Sequence, residues 1–201
     1  MLYAMSSGRP ETRTAILDAA RRLFEARRTP DVELEEIARE AGVSRQAIYL
    51  HFGNRAGLLL AVGEHVDQTE RLAEAARKVH TAETGAEELD AFVRVQADYT
   101  PRIAAIAKVF DEGRRRDPAL AAGWDDRMHQ RHAACTRIVK RLREESSLAP
   151  GWSVADAADM LWELTSIRTW EDLVHDRHWS KQRYTKLIGQ VARRTFLAKI
   201  D

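Results

Sequence analysis

Residues 34–52 read LEEIAREAGVSRQAIYLHF, and this stretch contains two short helical patterns separated by a glycine. Gly42 suits a sharp helix exit, because glycine accepts the left-handed backbone that such an exit requires. Ser44 suits the start of the second helix, because its hydroxyl can accept a hydrogen bond from a backbone amide. The first pattern spaces its apolar residues as one buried helix face requires: Leu34, Ile37, Ala38 and Ala41. A helix-turn-helix is therefore predicted within residues 33–52.

Small and aliphatic side chains are expected to hold these two helices together. Helices that cross steeply need a small residue at their contact, and Ala38 supplies it. Ile37, Val43 and Ile48 are expected to fill the space between the two helices and the helix before them. Burying three such side chains is worth roughly 5–8 kcal/mol, which is enough to fix the angle of the second helix. These residues and the turn glycine, Gly42, form the predicted scaffold.

The second short helix presents hydrogen-bonding side chains on its outward face: Ser44, Arg45, Gln46 and Tyr49, with His51 just beyond. Such a face suits the major groove of DNA. Arginine can form two hydrogen bonds with guanine and glutamine two with adenine, whereas hydroxyl and imidazole donors more often contact phosphates. We therefore predict base contacts from Arg45 and Gln46, and backbone contacts from Ser44, Tyr49 and His51.

The charge pattern around this helix also favours DNA. The chain has a formal net charge of only +1, but residues 41–63 contain no Asp or Glu although the whole chain contains 31. Asn54 can cap the next helix, and Arg55 adds a cation to its amino end, where a phosphate is favoured. Asn54 and Arg55 are therefore predicted backbone contacts. The alternative is an ordinary helical corner with a solvated polar face.

These motifs resemble the tetracycline-repressor (TetR) family. The resemblance lies in AGVS at 41–44, IYLHFGNR at 48–55 and the leucines at 58 and 59, and it extends back to the first helix. It implies a helix-turn-helix DNA-binding domain at 1–57, a fourth helix at 55–80 as connector, and a helical ligand-binding and dimerisation domain at 58–201. One departure is Glu33, where the family usually has Thr at the start of the second helix. We therefore expect Thr29 or Asp31 to cap that helix.

Helical periodicity dominates the remaining sequence, so the predicted fold is all-α with essentially no strand. Pro101 is expected to kink or divide a long helix, because proline lacks an amide proton and clashes with the preceding turn. A short connection is expected between Asp117 and Gly123. Ser153 and Ser180 are expected to cap two later helices.

Two sets of side chains are candidates for binding an effector and a second copy of the chain. The effector set is rich in aromatic residues, but it is also compatible with plain core: Phe92, Tyr99, Ile103, Phe110, Trp124, Met128, Trp162 and Trp170. The dimer set forms apolar stripes on two late helices, which are equally compatible with intramolecular packing: Leu161, Leu164, Thr165, Leu187, Ile188 and Val191. Dimerisation is favoured because one short helix reads few base pairs, whereas a two-fold dimer spans half-sites about 34–36 Å apart.

Composition excludes several other classes of protein. Hydrophobic residues make up 44% of the chain and charged residues 31%, as in globular proteins, and Cys135 is the single cysteine. No signal peptide or membrane span is apparent, so a cytoplasmic protein is expected. There is no glycine-rich phosphate loop or nucleophile elbow, so no enzyme and no cofactor are predicted. The histidine pairs lack a third ligand, so no metal site is predicted.

Together these features predict a homodimeric repressor that binds a palindromic operator in double-stranded DNA. A small apolar or aromatic effector would release it from that operator. Two alternatives stay open at this stage. One is a DNA-binding regulator without an effector, and the other is an enzyme or ligand-binding protein that retains the helix-turn-helix as a relic.

Overall fold

The structure is a computed structural model that describes residues 8–198. Helices make up this part of the chain, and its only β-type pairing is an isolated bridge between Leu148 and Leu197. The all-α prediction is confirmed. The helices are α1 (Gly8–Arg27), α2 (Leu34–Ala41), α3 (Arg45–Phe52), α4 (Arg55–Thr69), α5 (Leu72–His80), α6 (Gly85–Gly113), α7 (Pro118–Glu144), α8 (Val154–Leu164), α9 (Ile167–Trp170) with a following π-helical turn (Glu171–Asp176), and α10 (Lys181–Phe196).

The chain forms two compact units. The first unit runs to Glu70 and also includes Ile103–Asp126, whereas the second consists of Arg71–Arg102 and the chain from Arg127 onward. Helices α6 and α7 each contribute to both units. The predicted domains at 1–57 and 58–201 meet within α4, and their outer ends lie outside the described residues.

The core of the first unit forms around α1. Ile16, Ala20 and Phe24 lie on one face of that helix and are completely buried. Helices α2 and α4 both pack against α1. Later parts of the chain add apolar side chains to the same core: Ile106, Val109, Phe110 and Leu120. This shared core supports the helix-turn-helix.

The second unit has a separate core built around α7, α8 and α10. Ile138 and Leu142 are completely buried there, and Trp170 packs edge-on against Tyr184 with ring centroids 4.7 Å apart. Ser153 caps α8 by accepting a hydrogen bond from the Asp156 amide at 3.0 Å. Ser180 likewise caps α10, accepting from the Arg183 amide at 3.1 Å. Both predicted caps are confirmed.

The predicted fourth helix at 55–80 is wrong as a single helix. It ends at Thr69 and resumes at Leu72, with Arg71 in the left-handed conformation at φ 57°. Contacts with α1 explain the break, because Arg21 Nη2 lies 2.7 Å from Glu70 Oε1 and Arg21 Nη1 donates to Thr69 Oγ1 at 3.0 Å. The apolar spacing of the sequence continues across the break and does not reveal these contacts.

Of two other expected breaks, one is absent from the described chain and the other lies earlier than expected, between Gly113 and Pro118. Pro101 lies inside the single helix α6 and does not divide it. The expected connection from Asp117 to Gly123 is instead the first turn of α7, because Asp117 Oδ1 accepts the Ala119 amide at 2.8 Å and proline is well tolerated at the first helical position. Gly123 lies within the helix, where a Cβ atom would collide with the side chain of Leu60.

Candidate nucleic-acid interface

The turn between α2 and α3 is built by Gly42 and Ser44. Gly42 adopts φ 68° and ψ 30°, a left-handed conformation that favours glycine. The Val43 amide then donates to the Ala38 carbonyl at 2.9 Å. Ser44 Oγ accepts from the Ala47 amide at 3.2 Å, so its hydroxyl proton stays available as a donor to a phosphate.

One fully buried side chain anchors α3 in the core of the first unit, and the half-buried Phe52 packs against the same core. Among the eight residues of α3, only Ile48 is buried, at 1% exposure. It packs in one cluster with Ile37 and Ala38 of α2, and the partly buried Val43 lies against that cluster. The predicted scaffold residues therefore meet in one place. The opposite side of α3 is left open to solvent.

Arg45 takes part in a small hydrogen-bonded group on one flank of α3. Its guanidinium donates to Tyr49 Oη at 2.9 Å, lies 5.3 Å from the centre of the Tyr49 ring and forms an ion pair with Glu35 of α2. The hydrogen bond with Tyr49 and the negative charge of Glu35 raise the pKa of Arg45. Arg45 and Tyr49 are both exposed, so this group can meet a duplex as one surface.

The start of α4 provides further hydrogen-bond donors. Asn54 Oδ1 accepts from the Gly57 amide at 2.8 Å, which leaves the side-chain NH₂ of Asn54 as a donor. Arg55 is partly exposed and lies 3.4 Å from both the Pro30 carbonyl and Glu33. The remaining predicted contacts also lie on this surface: Gln46 is exposed, and His51 is half-buried beside the Phe52 ring.

The expected caps of α2 are wrong. Glu33, not Thr29 or Asp31, occupies the N-cap position, and its side chain makes no capping hydrogen bond. Thr29 Oγ1 instead accepts from the Asp31 amide at 3.2 Å, which organises the preceding turn. The carboxylate of Glu33 points to Arg55. An acidic residue that pairs with Arg55 therefore occupies the position where the family that the sequence resembles usually has Thr.

Sequence reasoning missed four residues on this surface. Glu33 and Glu35 precede the acid-free window at 41–63, but the fold brings them beside Arg55 and Arg45. Arg13 of α1 lies 5.4 Å from the centre of the Phe52 ring, which only the tertiary fold reveals. Leu50 of α3 is 80% exposed. A helical wheel around Ile48 would have revealed Leu50, because the two lie on nearly opposite sides of the helix.

The predicted effector residues are divided between the two units. Ile103, Phe110 and Trp124 belong to the core cluster of the first unit, whereas Phe92, Trp162 and Trp170 belong to that of the second. Tyr99 is buried and Met128 is half-buried. No single cluster within residues 8–198 brings the whole set together.

Trp162 has an unusual environment in the second unit. Its Nε1 atom is buried and has no hydrogen-bond acceptor among the residues that the structure describes. The Arg131 guanidinium lies 5.0 Å from the centre of the Trp162 ring, and it donates to the Trp162 carbonyl and, at 3.2 Å, to Thr165 Oγ1. Burial lowers the pKa of Arg131.

The predicted dimer residues differ in their exposure. Leu161, Thr165 and Ile188 are buried within the chain itself, so they are not available at its surface. Leu164 and Leu187 are half-buried, and Val191 is 47% exposed. Met160 of α8, which was not in the predicted set, is 49% exposed. Helices α8 and α10 contact each other.

Comparison with known proteins identifies the N-terminal part of the chain. The family model for bacterial regulatory proteins of the tetR family matches residues 16–62, which contain most of α1, the whole of α2 and α3, and the first half of α4. Residues 16–62 therefore resemble the DNA-binding domain of the tetR family. The earlier resemblance is confirmed.

The curated relatives match only about a quarter of the chain. The chain is 50% identical over 52 residues to the uncharacterized HTH-type transcriptional regulator TtgW of Pseudomonas putida, covering 26% of this chain and 39% of that protein. It is 46% identical over 54 residues to the HTH-type transcriptional regulator AcrR of Shigella flexneri, covering 27% and 25%. The matches thus span well under half of these relatives.

Solved structures extend the likeness in fold to nearly the whole chain. A putative transcriptional regulator from Saccharomonospora viridis in complex with choline superposes with a TM-score of 0.80 at 17% identity, covering 94% of this chain and 100% of that one. The transcriptional regulator FadR from Bacillus subtilis, in complex with stearoyl-CoA, gives 0.74 at 18% identity, covering 90% and 98%. At such identities the likeness concerns the fold alone.

No group of three or more potential metal ligands occurs within residues 8–198, and His132 instead pairs with Asp159, with 2.7 Å between Nε2 and Oδ1. None of the helices in this range combines the length and apolar character needed to cross a bilayer.

Proposed function

We propose that this chain is a sequence-specific DNA-binding transcriptional regulator that acts in the cytoplasm. The observation that carries the proposal is the presentation of α3, which is held by the buried Ile48 and exposes hydrogen-bonding groups on its remaining surface. An α-helix of this kind fits the major groove of B-DNA. A relic without function would not need a rigid corner with this combination of donors.

The proposed contacts fall into two groups with different effects on binding. Arg45 and Gln46 read base edges, which determines the sequence preferred. The side chains that donate to the DNA backbone set the position of the helix: Ser44, Tyr49, His51, Asn54 and Arg55. Because phosphates are the same in every sequence, contacts of this second group strengthen binding to all duplexes alike.

The proposal is tested by selecting bound duplexes from a random pool, with full-length protein at fixed salt. A recovered consensus is expected, and retention of the pool without enrichment would contradict the proposal. Arg45→Ala should relax the preference at one base pair by about 1–3 kcal/mol. Arg55→Ala is the matched control on the same surface, and it should weaken binding to all sequences equally and reduce the salt dependence.

We further propose that the protein acts as a homodimer on a palindromic operator. The exposed apolar residues Met160 and Val191 support this, because they lie on α8 and α10, two helices that contact each other, and the half-buried Leu164 and Leu187 belong to the same helices. A C2 interface would cover this surface with its own copy. Val191→Glu should yield monomers in analytical ultracentrifugation, whereas an unchanged sedimentation coefficient would contradict this interface.

An effector site in the predicted 58–201 domain is the third part of the proposal. A small apolar or aromatic ligand beside Phe92, Trp162 and Trp170 would also supply an acceptor for the buried Trp162 Nε1. Ligand binding would lower operator affinity, and a coupling free energy of about 3 kcal/mol corresponds to more than a hundredfold. A regulator without an effector is the competing function, favoured by the burial of most of these residues in ordinary core.

Thermal-shift screening of aromatic and aliphatic metabolites separates these two functions. A compound that raises the melting temperature and releases the operator supports the effector site. Trp162→Phe keeps an aromatic side chain but removes the N–H group, so it should weaken binding of that compound by about tenfold if the hydrogen bond forms. Failure of the whole panel to shift either the melting temperature or the operator complex would favour the regulator without an effector.

A further inference from the structure

Leu50 is the most exposed large hydrophobic side chain of the described residues. It is 80% exposed, compared with 40% for Tyr49, 49% for Met160 and 47% for Val191. Single exposed leucines are common at protein surfaces and need no explanation by themselves. Leu50 differs because it lies on the helix that is proposed to enter the major groove, among neighbours that are mostly polar.

The geometry of α3 determines which side chains reach furthest from the protein. Successive residues of a helix are rotated by about 100°, so Gln46 and Leu50 each lie about 160° from the buried Ile48. Arg45 and Tyr49 lie only about 60° and 100° from Ile48 by the same rotation. This flank position agrees with the ion pair between Arg45 and Glu35 of α2. Gln46 and Leu50 are therefore the side chains that point most directly into a groove.

We propose that Leu50 reads thymine, by packing its methyl groups against the C5 methyl group of that base. The inference rests on the proposed DNA-binding function. Thymine is the one base whose major-groove edge carries an apolar group, whereas the other edges present hydrogen-bond donors and acceptors. A leucine placed against those polar edges would remove water from them without replacing its hydrogen bonds. Leu50 therefore favours thymine and disfavours a G·C pair at its position.

The position of this thymine follows from its neighbour on the helix. Residues four apart on one helix face have Cβ atoms about 5–6 Å apart, and successive bases of one strand are about 3.4 Å apart. Gln46, one turn before Leu50, has the chemistry to form two hydrogen bonds with adenine. The proposal thus places the thymine within about two base steps of the adenine that Gln46 reads.

Single-atom changes in the DNA test this contact. In the duplex selected by the wild-type protein, each thymine of one half-site is replaced in turn by uracil, which removes only the C5 methyl group. Removing one buried methyl group changes an equilibrium constant by about fourfold. At one position, uracil should lower the affinity of the wild-type protein for the duplex by about that factor. Leu50→Ala should bind the thymine and uracil duplexes equally.

Two further variants control for indirect effects. Leu50→Met keeps an apolar side chain of similar volume and should retain the preference for thymine over uracil. Gln46→Ala should keep that preference as well, while losing selectivity at the adenine. If Leu50→Ala binds too weakly for measurement, the wild-type and Leu50→Met scans still decide whether one thymine methyl group is read.

The outcomes separate this inference from the proposed function. If the wild-type protein selects no sequence, the proposed function fails and the inference fails with it. If it selects a sequence but shows no methyl effect, or the same effect in Leu50→Ala, the inference is overturned and the proposed function stands. Sequence selection without a methyl effect that depends on Leu50 would also be expected if Leu50 contacted a protein partner instead of DNA.

Discussion

Ile48→Ala removes the one buried side chain of α3, and its effect measures how firmly the helix is held. Ile48 is 1% exposed and packs in the core cluster of the first unit. Truncating a buried isoleucine to alanine costs about 2–5 kcal/mol, through lost transfer free energy and the cavity that remains. Alanine is the best helix former, so helix propensity would offset part of the loss. We expect the free energy of unfolding of the first unit to fall by about 3 kcal/mol.

Urea unfolding, with hydrogen exchange of the α3 amides, distinguishes the first unit from the second. With a slope of about 2 kcal/mol per molar urea, the midpoint should fall by about 1.5 M. Leu50→Ala is the matched control, because it removes a side chain of equal size from the same helix at a site that is 80% exposed. It should change stability by no more than about 0.5 kcal/mol. Equal shifts for both variants would refute the argument that Ile48 fixes the helix.

Three other substitutions or treatments test separate features. Gly57→Ala should lower the melting temperature, because a Cβ atom would collide with the Phe52 carbonyl oxygen, and an unchanged melting temperature would contradict this close approach. Glu35→Gln should tighten binding to all duplexes at low salt, since it removes a negative charge beside Arg45 on the proposed DNA-binding surface; weaker binding would contradict this electrostatic argument. Cys135 should resist iodoacetamide at pH 8 until urea unfolds the chain, because burial raises the pKa of its thiol to about 12. For the same reason, stability should fall as the pH rises from about 9 to 12, where the thiol ionises in the unfolded chain only.

The parts of the fold that depend on near neighbours in sequence were predictable. Gly42 and Ser44 each act on residues within one helical turn, so the ends of α2 and α3 follow from the sequence. The end of α4 was not predictable in this way, because it depends on contacts between Glu70 and Arg21, which are 49 residues apart. Gly123 was misinterpreted for a similar reason, since its role is to make room for Leu60.

The same distinction between local and long-range contacts applies to the candidate site. The donors of α3 and α4 could be recognised because their types and spacing lie within one short stretch of sequence. The ion pairs that Arg45 and Arg55 form with Glu35 and Glu33 depend on the crossing of α2 against the later helices. Charge counting along the chain therefore overestimated how electropositive this surface is.

The attachment of α3 by one buried side chain also affects how easily its DNA preference can change. Four residues of α3 are exposed and can be exchanged without opening the core: Arg45, Gln46, Tyr49 and Leu50. Ile48, in contrast, is buried in that core, and Phe52 packs against it. New binding preferences are thus within reach of single point mutations that leave the protein folded. A library randomised at Arg45, Gln46 and Leu50 should accordingly yield mostly soluble variants with altered operators, which makes this helix a practical starting point for engineering.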